Sequence, residues 1–241
     1  MNNSDIVIII PTYNERDNIT LLIPKIRLTL PGVHILVVDD SSPDGTAGCV
    51  RTIAESAGEG VYLLSRPKKA GLAQAYIAGF TWALERSYQY IFEMDADFSH
   101  DPAFLPEFLG PIETCDLVIG SRYKSGVNVI NWPMSRLLLS YCANLFVRTV
   151  TGIPVRDSTA GYKCFKRSLL EKLPLKKISS SGYSFQIEIH HFAWKNGYSI
   201  VEIPIVFTDR KIGTSKMSTN IILEALFLVW KLRFSALLHR K

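Results

Sequence analysis

Short apolar runs alternate with longer amphipathic segments through the first half of the chain. The run at residues 6–10 contains only Ile and Val, which is typical of a central parallel strand buried on both faces. Similar runs predict strands at residues 34–38, 61–64, 90–94 and 117–119. Helical periodicity predicts intervening helices at residues 14–30, 46–57 and 72–86, and a further helix beginning at Asp101–Pro102. This alternation predicts an α/β fold, with a mostly parallel sheet flanked by helices.

The second half of the chain is dominated by helical patterns. A predicted helix over residues 131–150 carries polar residues four apart and apolar residues around the rest of its surface; the polar ones are Arg136, Ser140, Asn144 and Arg148. Another helix is predicted over 184–196, and a last, amphipathic one over about 218–239. The wide apolar surfaces of the first and last helices fit either core packing or a membrane interface.

One extended segment interrupts these helices. Residues 199–207 are mostly apolar and β-branched and predict a strand, with Pro204 inside it. Because proline cannot donate a ladder hydrogen bond, we expect this strand at an edge of the sheet.

Composition narrows the class of protein. The chain has 241 residues, of which 47% are hydrophobic and 20% charged, so it can bury a sizeable core and is not a disordered chain. We predict one α/β domain. The net charge of +5 fits an anionic partner, but the absence of a long Lys/Arg run argues against nucleic acid.

Targeting and redox signals are weak. The four cysteines at 49, 115, 142 and 164 show no C-x-x-C spacing, which favours reduced, mostly buried thiols. The first ten residues lack the basic start and apolar stretch of a signal peptide. No run of 18 apolar residues occurs, so no transmembrane helix is predicted.

The strongest candidate chemistry lies directly after the predicted strand at 90–94. Asp95 and Asp97 flank Ala96, and two carboxylates so close repel each other unless a cation lies between them. Hard divalent cations prefer oxygen ligands and often also hold phosphates. The pair therefore predicts a site for a metal-bound diphosphate, although a solvated acidic turn before the next helix is the alternative.

Polar residues also follow the first three predicted strands. Pro11, Tyr13 and Glu15 follow the first strand. Tyr13 could cover a nucleotide base, and Glu15 could accept a hydrogen bond from that base. Thr12 and Glu15 could also form a capping box at the start of the next helix. Asp39 and Asp40 follow the second, with ribose or base contacts and plain turn chemistry as the two interpretations. The basic segment Arg66–Lys69 precedes a helix N-terminus and favours anions. Because strand ends meet at one sheet edge, these residues predict one site.

Other motifs are missing. Neither G-x-G-x-x-G after a strand nor G-x-x-x-x-G-K-[ST] occurs in the chain, so dinucleotide-binding and Walker-A interpretations lose their main support. The five histidines lack metal-ligand spacing, and we predict structural or surface roles for them.

Seven segments together resemble family 2 glycosyltransferases of the GT-A fold, and more narrowly polyprenol-phosphate (dolichol-phosphate) mannose synthases. They are VIIIPTYNERDNI, VVDDSSPDGT, PKKAGLAQA, FEMDADFSHDP, LVIGSRY, RDSTAGYKCFKR and VEIPIVFTDRKIGTSKM. The resemblance covers residues 6–217 in order. It implies a nucleotide-sugar half at 1–120, an acceptor half at 121–217 and an amphipathic C-terminal helix at 218–241.

The resemblance implies inverting transfer of mannose from GDP-mannose to a polyprenyl or dolichyl monophosphate. Mg²⁺ or Mn²⁺ on the GDP diphosphate would be held by Asp95 and Asp97, with Ser99 at a position where some relatives have Gln, so that a water could substitute. The nucleotide sugar would be bound by Pro11, Tyr13, Glu15, Asp39, Asp40, Lys69 and Ala96. Arg210 and Lys216 would contact the diphosphate. Asp97, Arg122, Arg210 and Lys216 would be the catalytic residues.

The resemblance assigns the acceptor phosphate to Arg122, Arg136 and Ser140, and it implies a peripheral protein on the cytoplasmic face of a membrane, docked directly or through an anchor subunit. A phosphate monoester is largely dianionic near neutral pH and needs cations rather than a general base. Three alternatives stay open: a UDP-glucose donor, a sugar hydroxyl acceptor with Asp157 or another carboxylate as base, and a non-catalytic membrane-associated nucleotide-binding subunit.

Overall fold

The computed structural model describes residues 2–178, 180, 182–209 and 219–238. Within these residues the strands are β1 Ile6–Thr12, β2 His34–Asp39, β3 Val61–Ser65, β4 Tyr90–Glu93, β5 Leu117–Ser121, β6 Val129–Ile130, β7 Lys163–Lys166, β8 Ile200–Pro204 and β9 Phe207–Thr208. Seven of them form one sheet in the order β3-β2-β1-β4-β7-β5-β8, and β6 pairs with β9 in a second sheet. The predicted α/β class with a mostly parallel sheet is confirmed.

The helices cover both faces of the large sheet. They are α1 Arg16–Thr29, α2 Thr46–Ala57, α3 Leu72–Leu84, α4 Leu105–Thr114, α5 Met134–Thr151, α6 Arg167–Lys172, α7 Gly182–Lys195 and α8 Thr219–Leu238. The continuous apolar run in β1 explains the layering, because alternate side chains point to opposite faces. Val7 and Ile9 join the core layer under α3 and α7, whereas Ile6, Ile8 and Ile10 join the layer under α1 and α4.

Strand β7 is the main element that the sequence pattern does not reveal. It runs antiparallel between β4 and β5, in the middle of the sheet. Its four residues include Lys163, which is fully buried, and a buried lysine breaks the apolar signal of a central strand. The short helix α6 that follows also has no counterpart among the predicted elements.

Two predicted boundaries change in the second half. The extended segment predicted over 199–207 is two strands in the structure. Strand β8, which contains Pro204, lies at the edge of the large sheet as predicted, whereas β9 belongs to the two-stranded sheet. The helix predicted from residue 131 begins only at Met134, after Pro133, because Asn131 has a positive φ of 64°. Helix α5 therefore begins next to the point where β6 ends.

A glycine sets the spacing between α3 and β1. A Cβ built on Gly79 would lie 2.5 Å from Cγ2 of Ile9, and Ile9 is itself completely buried in β1. Since real Cβ atoms do not approach a carbon so closely, the helix can pack at this distance from the sheet only with glycine at that position.

We expect Gly79→Ala to lower the free energy of unfolding by about 1–3 kcal/mol, because the added methyl group overpacks the core. Urea denaturation followed by circular dichroism measures this change. Gly48→Ala is the matched control, since nothing lies within 4 Å of a Cβ at Gly48 in α2, and there alanine should stabilise by up to about 1 kcal/mol. Equal effects of the two substitutions would contradict the packing argument.

Candidate active site

One cavity of about 420 Å³ opens at the carboxyl edge of the sheet. Most of the residues singled out from the sequence line it: Pro11, Tyr13, Glu15, Asp40, Lys69, Asp95, Ala96, Asp97, Ser99, Arg122 and Arg136. The segments after β1, β2, β4 and β5 thus meet at one place, together with α5. Their individual roles remain predictions.

Two predicted site residues, Asp39 and Ser140, do not line this cavity, and two more lie outside the described residues. Asp39 is buried and turned inward, where its carboxylate accepts from the Thr12 hydroxyl (2.9 Å) and from the Ser42 backbone N–H and hydroxyl. Ser140 accepts a hydrogen bond from the Tyr123 hydroxyl at 2.8 Å. Arg210 and Lys216 lie outside the described residues.

The loops after β1 and β2 support each other. The Arg16 backbone N–H at the start of α1 donates to Asp44, and the Glu15 N–H donates to the Thr46 hydroxyl. Burial alone would raise the pKa of Asp44, but its hydrogen bonds from Thr46 and Arg16 outweigh burial and lower it. The capping box predicted for Thr12 and Glu15 is therefore wrong, because Thr12 belongs to β1 and the neighbouring loop caps α1.

Three residues around the cavity adopt left-handed backbone conformations. Asn14, Ser41 and Phe98 have φ values of 60°, 54° and 62° and follow β1, β2 and β4 respectively. This conformation is costly for a bulky residue such as Phe98 and is maintained only when its surroundings enforce it. At Phe98 it turns the chain sharply, and the Ser99 N–H then donates to the Asp97 carboxylate at 3.1 Å.

The two carboxylates of the D-x-D segment face the same cavity, and their oxygens fit a hard divalent cation. Asp95 accepts from the Tyr76 hydroxyl at 3.0 Å and remains partly exposed. Burial, and next the nearby Asp95, raise the pKa of Tyr76 well above its ordinary value, so its hydroxyl keeps the proton that it donates. Among the described residues no third Asp, Glu, His or Cys completes a metal cluster. A cation here would complete its shell with substrate oxygens or water.

His100 also lines the cavity, and its contacts are those of a structural residue. Its Nδ1 accepts from the Asp95 backbone N–H at 3.0 Å, and its ring stacks on Tyr162. Burial lowers the pKa of His100 despite the nearby acidic side chains. The neutral ring therefore fixes the backbone of the D-x-D segment without adding charge. The signal for this role was its position directly after MDADFS.

The side of the cavity next to β1 and β2 holds cation–aromatic and ion pairs. The Lys69 ammonium lies 3.8 Å from the centroid of the Tyr13 ring. Arg66 pairs with Asp40 at 3.0 Å, and Asp40 also accepts from the Ala70 backbone N–H. The basic segment before α3 is thereby fastened to the loop after β2.

Arg122 on the opposite side is almost completely buried. Its Nε and Nη2 donate to Asp157 at 2.7 and 2.6 Å, and its backbone N–H donates to the same carboxylate. Burial would lower the pKa of Arg122, but the attraction of Asp157 more than offsets it and raises the pKa above its usual value. Asp157 is itself completely buried. It therefore positions Arg122 rather than facing the cavity as a base.

Arg136 on α5 makes a more exposed ion pair. Its Nη1 lies 2.9 Å from both carboxylate oxygens of Asp209. Trp132 lies between the two arginines, with its ring centroid 4.2 Å from the Arg136 guanidinium carbon and 5.3 Å from that of Arg122. Phe207 packs against the same indole. Arg122 and Arg136 thus reach the cavity from two elements joined by aromatic contacts.

A buried charged group lies behind the cavity and was not anticipated. Lys163 pairs with Glu93 at 3.1 Å, and both are bridged by the side chain of Gln186, which lines the cavity. Burial lowers the pKa of Lys163 and raises that of Glu93. No sequence motif marks this group, because its members lie on β4, β7 and α7.

Helices α5 and α8 expose apolar side chains on the outside of the molecule. The members of this outer apolar face are Met134, Leu138, Leu139, Tyr141, Leu145, Leu226, Phe227, Trp230 and Phe234. The polar stripe of α5 turns inward at Arg136, Ser140 and Asn144, whereas Arg148 is exposed. Within the part of the chain that the structure describes, no helix has the length and hydropathy needed to cross a bilayer.

Comparison with protein families and curated proteins gives consistent matches. The family model described as "Glycosyl transferase family 2" matches residues 7–174. The polyprenol monophosphomannose synthase of Mycolicibacterium smegmatis is 47% identical over 230 residues, covering 94% of this chain and 87% of that protein. The undecaprenyl-phosphate mannosyltransferase of Micrococcus luteus is 44% identical over 220 residues, covering 91% of this chain and 90% of that protein.

Solved structures match the fold at lower identity. Glucosyl-3-phosphoglycerate synthase from Mycobacterium tuberculosis in complex with UDP has a TM-score of 0.68 and 18% identity, covering 95% of this chain and 80% of that one. The same enzyme with Mn²⁺, UDP-glucose and phosphoglyceric acid has a TM-score of 0.68 and 20% identity, covering 93% of this chain and 79% of that one. At these identities the likeness establishes the fold alone.

The Arg122–Asp157 pair yields a stability prediction. We expect Asp157→Asn to lower the free energy of unfolding by about 3–5 kcal/mol, because it leaves a buried guanidinium without its counter-charge. Chemical denaturation followed by circular dichroism measures the change. In the control Glu171→Gln, the carboxylate pairs with Arg167 at 2.7 Å but is 47% exposed, so we expect a change within about 1 kcal/mol. A similar small loss for Asp157→Asn would contradict the buried-pair interpretation.

Proposed function

The chain belongs to glycosyl transferase family 2, and on that basis we propose that it transfers mannose from GDP-mannose to a polyprenyl monophosphate. The observation that carries the proposal is the single cavity that joins the Asp95/Asp97 carboxylates to the guanidinium groups of Arg122 and Arg136. A carboxylate pair suits a metal-bound diphosphate, and two arginines suit an anionic acceptor. The names of the two curated relatives support the same acceptor class and the same sugar.

The donor would occupy the side of the cavity formed after β1, β2 and β4. Tyr13 and Lys69 would contact the base, and Asp40 would accept from the nucleoside. Mg²⁺ or Mn²⁺ held by Asp95 and Asp97 would neutralise charge that develops on the departing diphosphate. Ser99 is buried beside these carboxylates, and a water would complete the shell there. Arg210 and Lys216 would add positive charge at the diphosphate, a role that rests on the sequence alone.

The acceptor would reach the cavity from the α5 side. A phosphate monoester oxygen of the lipid would attack the anomeric carbon of mannose as the bond to the GDP oxygen breaks on the opposite face, which inverts that centre. The acceptor is already close to a dianion near neutral pH, so no general base has to remove a proton. Arg122, Arg136 and Ser140 would bind and aim the phosphate.

The geometry disfavours a sugar hydroxyl as acceptor. Such a reaction needs a base within hydrogen-bond reach of the hydroxyl, and Asp157 was the candidate from the sequence. That carboxylate is completely buried and accepts three hydrogen bonds from Arg122. A non-catalytic subunit is also disfavoured, because such a protein would have no use for strained loops around paired carboxylates.

Transfer of labelled sugar into organic-extractable lipid tests the proposal. With a dispersed polyprenyl phosphate and Mg²⁺, we expect label from GDP-mannose but not from UDP-glucose, and loss of label with EDTA. Asp97→Asn should reduce the rate at least about a hundredfold, because it removes charge that opposes the developing diphosphate. Glu55→Gln, an exposed carboxylate on α2, is the control and should retain full activity.

Label from UDP-glucose alone would overturn the donor and keep the acceptor. Absence of label from either donor, with the lipid well dispersed, would contradict the proposed reaction. Full activity of Asp97→Asn would contradict the metal assignment alone.

We also propose that the outer apolar face of α5 and α8 rests in the interfacial layer of a membrane. A lipid acceptor has its phosphate at that depth, and α5 carries Arg136 on its inner side and Leu138 on its outer side. The exposed cations Arg148, Lys231 and Arg233 beside this face would favour anionic lipid. The arrangement is that of an interfacial helix with its polar stripe turned to the protein.

Vesicle co-sedimentation tests this contact. We expect Leu138→Ser combined with Phe227→Ser to weaken binding to anionic vesicles about thirtyfold, because each removes roughly 1 kcal/mol of apolar burial. Leu28→Ser is the matched control, since Leu28 is 82% exposed but lies on α1 in the other helix layer. Equal binding of all three proteins would place the membrane contact elsewhere.

A further inference from the structure

The carboxylate of Asp209 lies where an anionic ligand of Arg136 would bind. Its two oxygens are both 2.9 Å from Nη1 of Arg136, and the two side chains are 24% and 17% exposed. The Asp209 backbone N–H donates to the Ile130 carbonyl at 3.1 Å, next to the β6–β9 pair. This small sheet therefore holds Asp209 opposite Arg136 on α5.

We propose that Asp209 is a specificity-determining residue, which yields its place on Arg136 to a phosphate monoester but not to a phosphodiester. The inference rests on the proposed function, in which Arg136 binds the acceptor phosphate. It adds that acceptor binding is an exchange of one anion for another. An exchange depends on the difference between two charges rather than on the charge of the ligand alone.

The charges of the competing groups decide the outcome. A phosphodiester carries one negative charge, as the Asp209 carboxylate does, so replacing one with the other gains no attraction to Arg136. A phosphate monoester has a second pKa of about 6 and is close to a dianion at pH 7.5. It gains attraction in the same exchange and also brings more acceptor oxygens for Arg122 and Arg136.

The location explains why such discrimination is useful. The outer apolar face of α5 begins within two residues of Arg136, at Met134 and Leu138. At a membrane interface this arginine would be surrounded by phospholipid headgroups, most of which are phosphodiesters. An arginine without a resident carboxylate would be occupied by these abundant monoanions.

The two ion pairs of the acceptor side differ in a way that supports the exchange. Asp157 is completely buried and fixed on Arg122, so that carboxylate remains in place. Asp209 is partly exposed and meets Arg136 through one nitrogen only. The Trp132 ring, 4.2 Å from the Arg136 guanidinium carbon, holds the arginine in place while its partner changes.

Calorimetric binding of two soluble probes tests the proposal. Geranyl phosphate is a monoester, and geranyl methyl phosphate is a diester with the same tail and one charge fewer. At pH 7.5 we expect the full-length protein to bind the monoester at least tenfold more tightly than the diester. Asp209→Asn should bind the diester at least tenfold more tightly than the unaltered protein does, because no resident carboxylate has to be displaced. Asp209→Glu keeps the charge and should restore the weak binding of the diester.

The control and the contrary outcomes are distinct. Glu171→Gln removes a carboxylate from a surface arginine pair and should leave both affinities unchanged; Asp209→Ser replaces Asp209→Asn if circular dichroism shows loss of fold. An unchanged affinity for the diester after loss of the Asp209 charge overturns the proposal and leaves the proposed function intact. Failure of the unaltered protein to bind either probe overturns the phosphate-acceptor assignment and this proposal with it.

Discussion

The buried contact between Arg122 and Asp157 is the interaction on which the proposed acceptor half of the cavity depends. A guanidinium group cannot lose its proton in a protein, so a buried one requires a fixed negative partner. Asp157 supplies it, and its own loop is held by Glu202, which accepts from the Arg156 and Asp157 backbone N–H groups. Asn144 on α5 accepts from the Ser158 hydroxyl in the same loop. One ion pair thus fixes β5, β8 and α5 relative to one another.

The proposed donor half is organised on a different principle. There the carboxyl ends of parallel strands bring polar loops together, as in other open α/β sheets, and the loops after β1 and β2 satisfy one another's backbone groups. The left-handed conformations of Asn14, Ser41 and Phe98 are part of this arrangement. The cavity therefore has two differently organised sides. Buried charge pairs fix the proposed acceptor side, and short strained turns form the proposed donor side.

Much of this architecture was predictable because strong local signals coincide with it. The β-branched run of β1 indicates a central strand, and the acidic D-x-D segment marks the carboxyl end of β4. Most predicted site residues line the cavity. Strand β7 was not predictable, since the partner that neutralises its buried Lys163 is Glu93, 70 residues earlier in the chain. For the same reason the sequence does not reveal that Asp39 is turned inward or that Asp209 meets Arg136. These contacts join residues that are far apart in the chain. Hydrophobic periodicity depends only on residues within a few positions of one another, so it cannot predict such contacts.

Helix α5 has a polar side that faces the protein and an apolar side that faces outward. This restricts how the chain can change in length during evolution. Successive residues of an α-helix are turned by 100°, so one residue inserted between Arg136 and Asn144 would rotate the later part of the helix by that angle. Asn144 would then leave its contact with Ser158, and the exposed Leu145 would be turned away from its present direction. Substitutions that keep the outer side apolar can accumulate, but insertions and deletions should be confined to surface turns, such as the one around Gly58 between α2 and β3. Related sequences should therefore align without gaps across α5 even where their surface loops differ in length.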